Sequence, residues 1–278
     1  MPFAHNARIS TYYDVEGQGP PLVLAHWSSD TSEVWRKLGY VDALKNDFSL
    51  ILYDARGYGK SDQPHEPSEY ESRLMVRDVV AVLDDLGIGK AHYFGYSMGA
   101  RTGFRIATQC AERFVSFILG GCSPYTGKAE SQFLDDVLED FNMILADPEA
   151  AVRKREKTLG HSLTEEERKS FLSNDAKAII ASATGRFSWP ALSDSELSSI
   201  PVPCLVYCGE ADPAHRGAKE SVNHIPQAKF VSVPGLDHTQ AFVQKDEVLP
   251  AVKRFLADIT RSSAAKTLDF VDRSPGTP

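Results

Sequence analysis

The chain is poor in cysteine, has no excess of basic charge and contains no long apolar run. Its four cysteines, Cys110, Cys122, Cys204 and Cys208, form no Cys-x-x-Cys pair. Cys204 and Cys208 stand four apart on an expected buried strand, so both face one side of it, too far apart to be bridged. They read as core thiols of a reducing compartment. No His/Cys/carboxylate cluster has ligand spacing, and no Gly-x-Gly-x-x-Gly follows a strand. Neither a metal nor an organic cofactor is implied. The formal net charge of −8 argues against a nucleic-acid surface, which needs basic patches. No apolar stretch approaches the ~20 residues of a membrane span. Met1 to Asn6 carries no basic n-region or apolar h-region, so no signal peptide is read there. The expected location is the cytoplasm, with no membrane and no nucleic-acid partner.

What remains is ordinary soluble material: 278 residues, 42 % hydrophobic and 24 % charged. That is enough for one large α/β domain, or for a domain with an insertion. Arg8 to Val15 alternates like a strand near a sheet edge. Leu22–Ala25, Phe48–Tyr53, Ala91–Tyr96, Val115–Gly120, Cys204–Cys208 and Ala228–Val233 are short apolar runs typical of buried strands. Between them, Ser32–Lys45, Tyr70–Leu86 and Ala100–Thr108 carry helical spacing, and Asp246–Thr260 closes the chain as a helix. Strands alternating with helices predict a mostly parallel, doubly wound α/β sheet. From about Pro124 to Ser199 the strands disappear. Gln132–Ala146, Glu149–Leu159 and Thr164–Ala183 read as charged helices. The division expected is a core of 1–123 and 200–261, an inserted helical cap of 124–199 over the strand ends, and a loose tail of 262–278.

Gly95-Tyr96-Ser97-Met98-Gly99 is the most informative stretch. It follows an expected strand and precedes an expected helix, the context of a nucleophile elbow. Flanking glycines let strand and helix approach closely, and the sharp turn lifts the Ser97 hydroxyl to a helix start that favours developing negative charge. A serine hydroxyl needs a base, and the base an orienting carboxylate. Asp212 ends the strand that begins at Cys204, on the same rim as Ser97. Glu210 lies closer to the strand and reads as a local packing or capping residue. His238 is the histidine that follows the last strand, and Asp237 beside it reads as a turn residue.

Together, Gly19 to His26, Asp54 to Ser61, Gly95 to Gly99, Gly209 to Asp212 and Gly235 to His238 resemble the α/β-hydrolase fold family, over about residues 8 to 260. The resemblance implies Ser97, Asp212 and His238 as a catalytic triad, with Asp54 and Arg56 bracing nearby loops. It implies an oxyanion hole with one donor at the Met98 N–H and a second from the loop after His26. There the chain departs from the family's usual His-Gly: it has His26-Trp27, so the second donor is Ser28 by alignment, or Trp27 if the loop is shifted. Trp27 does not adopt a positive φ cheaply. Trp27, Tyr96, Phe141 and Trp189 are the expected substrate-binding residues, and Phe133, Met143 and Phe187 further candidates for an apolar acyl site. The activity implied is hydrolysis of a small carboxylic ester. Lactonase, carbon–carbon bond hydrolase and perhydrolase chemistry use the same triad, and a small-molecule receptor with vestigial hydrolysis keeps it too. Serine at position 97 disfavours the aspartate-nucleophile dehalogenases and epoxide hydrolases. Oligomeric state is left open.

Overall fold

The computed structural model describes residues 2–28, 30–125, 128–159 and 161–271. The core begins with β1 (Phe3–Asn6), β2 (Ile9–Glu16) and β3 (Pro21–Ala25), then two short helices, α1 (Glu33–Lys37) and α2 (Tyr40–Leu44). β4 (Ser49–Tyr53), α3 (Ser72–Asp85), β5 (Ala91–Tyr96), α4 (Met98–Gln109) and β6 (Phe114–Gly120) follow. Five helices come next: α5 (Lys128–Ala146), α6 (Pro148–Leu159), α7 (Glu165–Leu172), α8 (Ala176–Phe187) and α9 (Asp194–Ser198). The chain then returns through β7 (Cys204–Gly209), α10 (His215–Ser221), β8 (Ala228–Val233), α11 (Gln240–Val243) and α12 (Lys245–Val271).

The eight strands form one sheet in the order β1-β2-β4-β3-β5-β6-β7-β8. β1 and β2 pair antiparallel, as do β2 and β4, and every later pairing is parallel. Side-chain alternation divides the core into two layers. Val23, Ala25, Ile51, Tyr53 and Tyr93 pack with Met75, Val79 and Leu83 of α3 and Phe104 of α4. Leu22, Leu24, Leu50, Leu52 and Phe94 pack with Val34 and Trp35 of α1, Val41 and Leu44 of α2, and Val252 and Phe255 of α12. Helices thus cover both faces, which is why the central strands are buried on both sides and largely apolar rather than alternating.

The structure differs from the sequence reading in four places. Residues 32–45 are two helices, because Gly39 takes a left-handed φ of 76° between them. Residues 164–183 are also two, because Asp175 caps α8 by accepting a hydrogen bond from the Ala178 N–H. The edge strand β1 lies where no strand was expected, paired in register with β2. α12 carries helical backbone through Val271, ten residues into the expected tail; 272–278 lie outside the described residues. Among the described residues, no helix is long and apolar enough to cross a membrane.

Candidate active site

Parallel strands end at one edge of a sheet, so the loops that follow β3, β5, β7 and β8 meet there. The loop after β5 is a single residue. Ser97 has φ 51° and ψ −106°, a left-handed conformation costly for a side-chain-bearing residue, about 1–3 kcal/mol. Its surroundings hold it. The Ser97 N–H donates to the Gly120 carbonyl at 2.8 Å, and the Gly99 N–H donates to the His26 carbonyl at 3.1 Å. A Cβ on Gly99 would stand 2.2 Å from the Ala25 carbonyl oxygen, and one on Gly95 2.5 Å from the Gly99 backbone. Both glycines are therefore required by close approach of strand to helix.

Asp212 and His238 come from the loops after β7 and β8. The Asp212 carboxylate accepts from the Ala214 N–H at 2.8 Å through Oδ1, and its Oδ2 lies 2.7 Å from His238 Nδ1. Nε2 of the same ring lies 3.0 Å from Ser97 Oγ. Burial opposes ionisation of Asp212, yet His238 and the Ala214 amide together hold its carboxyl below the usual range. An ionised carboxylate only accepts, so His238 carries its proton on Nδ1 and turns the Nε2 lone pair to the Ser97 hydroxyl. Glu210 instead accepts from Ser232 Oγ at 3.0 Å, as local packing.

The loop after β3 is fixed by a buried histidine. His26 Nε2 accepts from the Ala55 N–H at 3.0 Å, so its other nitrogen bears the proton and donates to the Trp27 carbonyl at 2.6 Å. Burial lowers the His26 pKa, against the opposing charge of Asp54, and keeps the ring neutral. No peptide bond in the described chain is cis, so the Ser28 N–H points opposite to the Trp27 carbonyl, away from His26. Trp27 is not among the residues of positive φ. Its indole packs against Phe242 at 5.0 Å and Tyr96 at 6.4 Å. Asp54 braces the neighbouring turn, accepting from Ser32 N–H, Ser32 Oγ and Lys60 N–H at 2.6–2.9 Å. Arg56 forks onto Asp78 at 2.7 and 2.8 Å.

Two cavities open onto Ser97 and His238. One, of about 820 Å³, is walled by Trp27, Ser28, Val137, Phe141 and Phe171. The other, of about 320 Å³, is walled by Ser28, Met98, Arg101, Cys122, Arg186 and Phe187. Two expected wall residues are not there. Tyr96 is fully buried, stacked on Phe242, and its hydroxyl donates to the His238 carbonyl at 2.5 Å, so it anchors the histidine loop instead. Trp189 is buried with its indole N–H on the Tyr70 carbonyl at 2.9 Å, tying the end of α8 to the core. The Phe133 side chain lies outside the described residues. Arg186 was not foreseen. The sequence sign was there: a lone arginine in the Ala- and Ile-rich helix of residues 176–187. Among the described residues, no group of three or more His, Cys, Asp or Glu side chains is placed to hold a metal ion.

Comparison with known proteins agrees with this architecture. A family model described as alpha/beta hydrolase fold matches residues 20–243. A putative 2-succinyl-6-hydroxy-2,4-cyclohexadiene-1-carboxylate synthase of Bacillus subtilis is 28 % identical over 267 residues, 89 % of this chain and 95 % of the relative. The enol-lactonase of Burkholderia xenovorans superposes with a TM-score of 0.76 at 23 % identity, covering 92 % of this chain and all of that one. A carboxylesterase structure from the thaumarchaeon Nitrososphaera gargenis gives 0.80 at 21 % identity, over 94 % of this chain and all of that one. At those identities the two structures speak for the fold alone.

Proposed function

The chain belongs to the alpha/beta hydrolase fold family, and within it we propose a serine hydrolase that cleaves a small carboxylic ester through an acyl-enzyme. The observation that carries this reading is the hydrogen-bonded series from Asp212 to His238 to Ser97, at 2.7 and 3.0 Å, ending on a strained serine at a cavity mouth. His238 Nε2 takes the Ser97 proton as Oγ attacks the carbonyl carbon, and Asp212 stabilises the imidazolium that results. The protonated ring then gives its proton to the leaving alcohol. Water, deprotonated by the same nitrogen, attacks the acyl-enzyme and releases the acid and Ser97.

The oxyanion is assigned to two backbone donors. Met98 is the first residue of α4, where N–H groups have no intrahelical partner. Ser28, rather than Trp27, supplies the second, because His26 holds the Trp27 carbonyl and thereby turns the Ser28 N–H the other way. Each such donor is worth about 10²–10³ in turnover. Helices α5–α9 are assigned as a cap, with Phe141 and Trp27 on the apolar wall of the larger cavity.

The test is hydrolysis of p-nitrophenyl esters of graded acyl length by the wild type and by Ser97→Ala. The expected result is turnover in the wild type and a loss of at least ~10⁴-fold in the variant. A wild type no faster than Ser97→Ala on every ester overturns the reading.

A further inference from the structure

Arg186 is 2 % exposed, yet among the described residues it makes no ion pair with a carboxylate. Its partners are neutral hydroxyls. Nε donates to Ser182 Oγ at 3.1 Å, and Nη2 donates to Tyr58 Oη at 3.2 Å and Ser28 Oγ at 3.3 Å. A guanidinium stays protonated in proteins, so this is a buried positive charge without a counter-charge. Burial is the largest influence on it and pulls its pKa down; Arg101 adds to that and Tyr58 opposes it. Arg186 also lines the 320 Å³ cavity that contains Ser97 and His238. Arg101, one turn along α4 from Ser97, lines the same cavity; it stacks on Phe187 at 4.9 Å and likewise forms no ion pair among the described residues. Asp212, the carboxylate among the cavity's lining residues, is already engaged by His238 and the Ala214 amide. The smaller cavity thus has two cations and no available anion.

We propose that the substrate carries a second, ionised carboxylate, seated in the smaller cavity on Arg186 with Arg101 beside it. Arg186 is then a specificity-determining residue. The proposal rests on the serine-hydrolase reading of the same site. A carboxylate replaces the missing counter-charge, and a guanidinium fork matches its geometry. Neutral hydroxyls hold Arg186 in place without cancelling its charge. That leaves the attraction for a ligand and binds a length-matched neutral acyl group less well. Charge-assisted contacts of this kind correspond to a preference of about 10–100-fold.

The experiment compares mono-p-nitrophenyl glutarate with p-nitrophenyl valerate, which match in chain length and differ in the terminal carboxylate. Wild-type kcat/KM is expected to favour the charged ester, by about 10–100-fold. Arg186→Gln abolishes that ratio and Arg186→Lys keeps part of it. A purely structural role would lower both substrates alike and leave the ratio unchanged. Glutarate is expected to inhibit competitively, and glutaramide not to. No preference in the wild type, or a preference that persists in Arg186→Gln, overturns the proposal. If Arg186→Gln does not fold, as judged by circular dichroism, Arg101→Gln takes its place under the same criterion. If no ester at all is cleaved, the hydrolase reading fails on its own. Calorimetric titration of the wild type with glutarate against glutaramide then decides the carboxylate site, and equal binding overturns it.

Discussion

His92 lies inside β5, 4 % exposed, with Nδ1 2.8 Å from Ser116 Oγ and its ring edge-on to Phe48. Burial lowers its pKa to about 4 from the ordinary 6.5. Between those values the unfolded chain binds a proton that the folded chain refuses. Stability from this group is therefore complete above pH 6.5 and falls as the pH drops towards 4. The difference amounts to about 3 kcal/mol at the acid end. His26, buried and lowered, acts with the same sign. Urea unfolding at pH 7 and pH 4.5 should show wild-type stability falling with acid, and His92→Gln losing about 2 kcal/mol less over the interval. Equal losses would contradict the assignment. The residues that meet at the site differ in how far the chain revealed them. Ser97, Asp212 and His238 were legible because each follows a recognisable buried strand, and parallel strands bring those ends together. Tyr96 and Trp189 were misplaced because an aromatic side chain's direction depends on tertiary packing. Arg186 stands out in the sequence only as a lone arginine in an Ala- and Ile-rich helix; its place at the site depends on Ser28 and Tyr58, which lie on core loops far from it along the chain.

The element that matters most is the turn between β5 and α4. Its geometry follows from the missing side chains of Gly95 and Gly99, which let α4 lie against the Ala25 carbonyl. Gly99→Ala inserts a methyl group 2.2 Å from that oxygen, a backbone contact that no rotamer relieves. α4 must move away from β3, at a cost of about 1–3 kcal/mol. The movement displaces both Ser97 and the Met98 N–H, and a shift of this kind lowers turnover by about 10²-fold. Thermal denaturation should show a fall in Tm, and ester kinetics a fall in kcat. A variant with wild-type Tm and kcat would show that the turn tolerates a side chain. This motif was readable because its sterics are local. The break at Gly39 and the division before α8 were not read as ends, because the apolar spacing continues across them. β1 is short and takes its identity from pairing with β2, which no local pattern announces.

Across the whole molecule, the sheet order sets the chemistry. The parallel run from β4 through β8 brings the loops after β3, β5, β7 and β8 to one edge, and the chain between β6 and β7 supplies α5–α9 beside them. Phe141 of α5 and Arg186 of α8 come from that segment and line different cavities, both opening on Ser97. In the proposed division of labour, the sheet edge activates the serine and the inserted helices select the acyl group. The alternation of strands and helices, and the strandless stretch from 124 to 199, made this architecture legible. The shape of the two cavities was not, since it depends on how α5 and α8 pack. The central claim is that the three loops after β5, β7 and β8 make one serine nucleophilic. The most direct measurement is intact-protein mass spectrometry after reaction with a fluorophosphonate, followed by peptide mapping. The account predicts one adduct per chain, on Ser97, formed at a rate that collapses in His238→Ala. An unlabelled wild type, or an adduct on another residue, would contradict it.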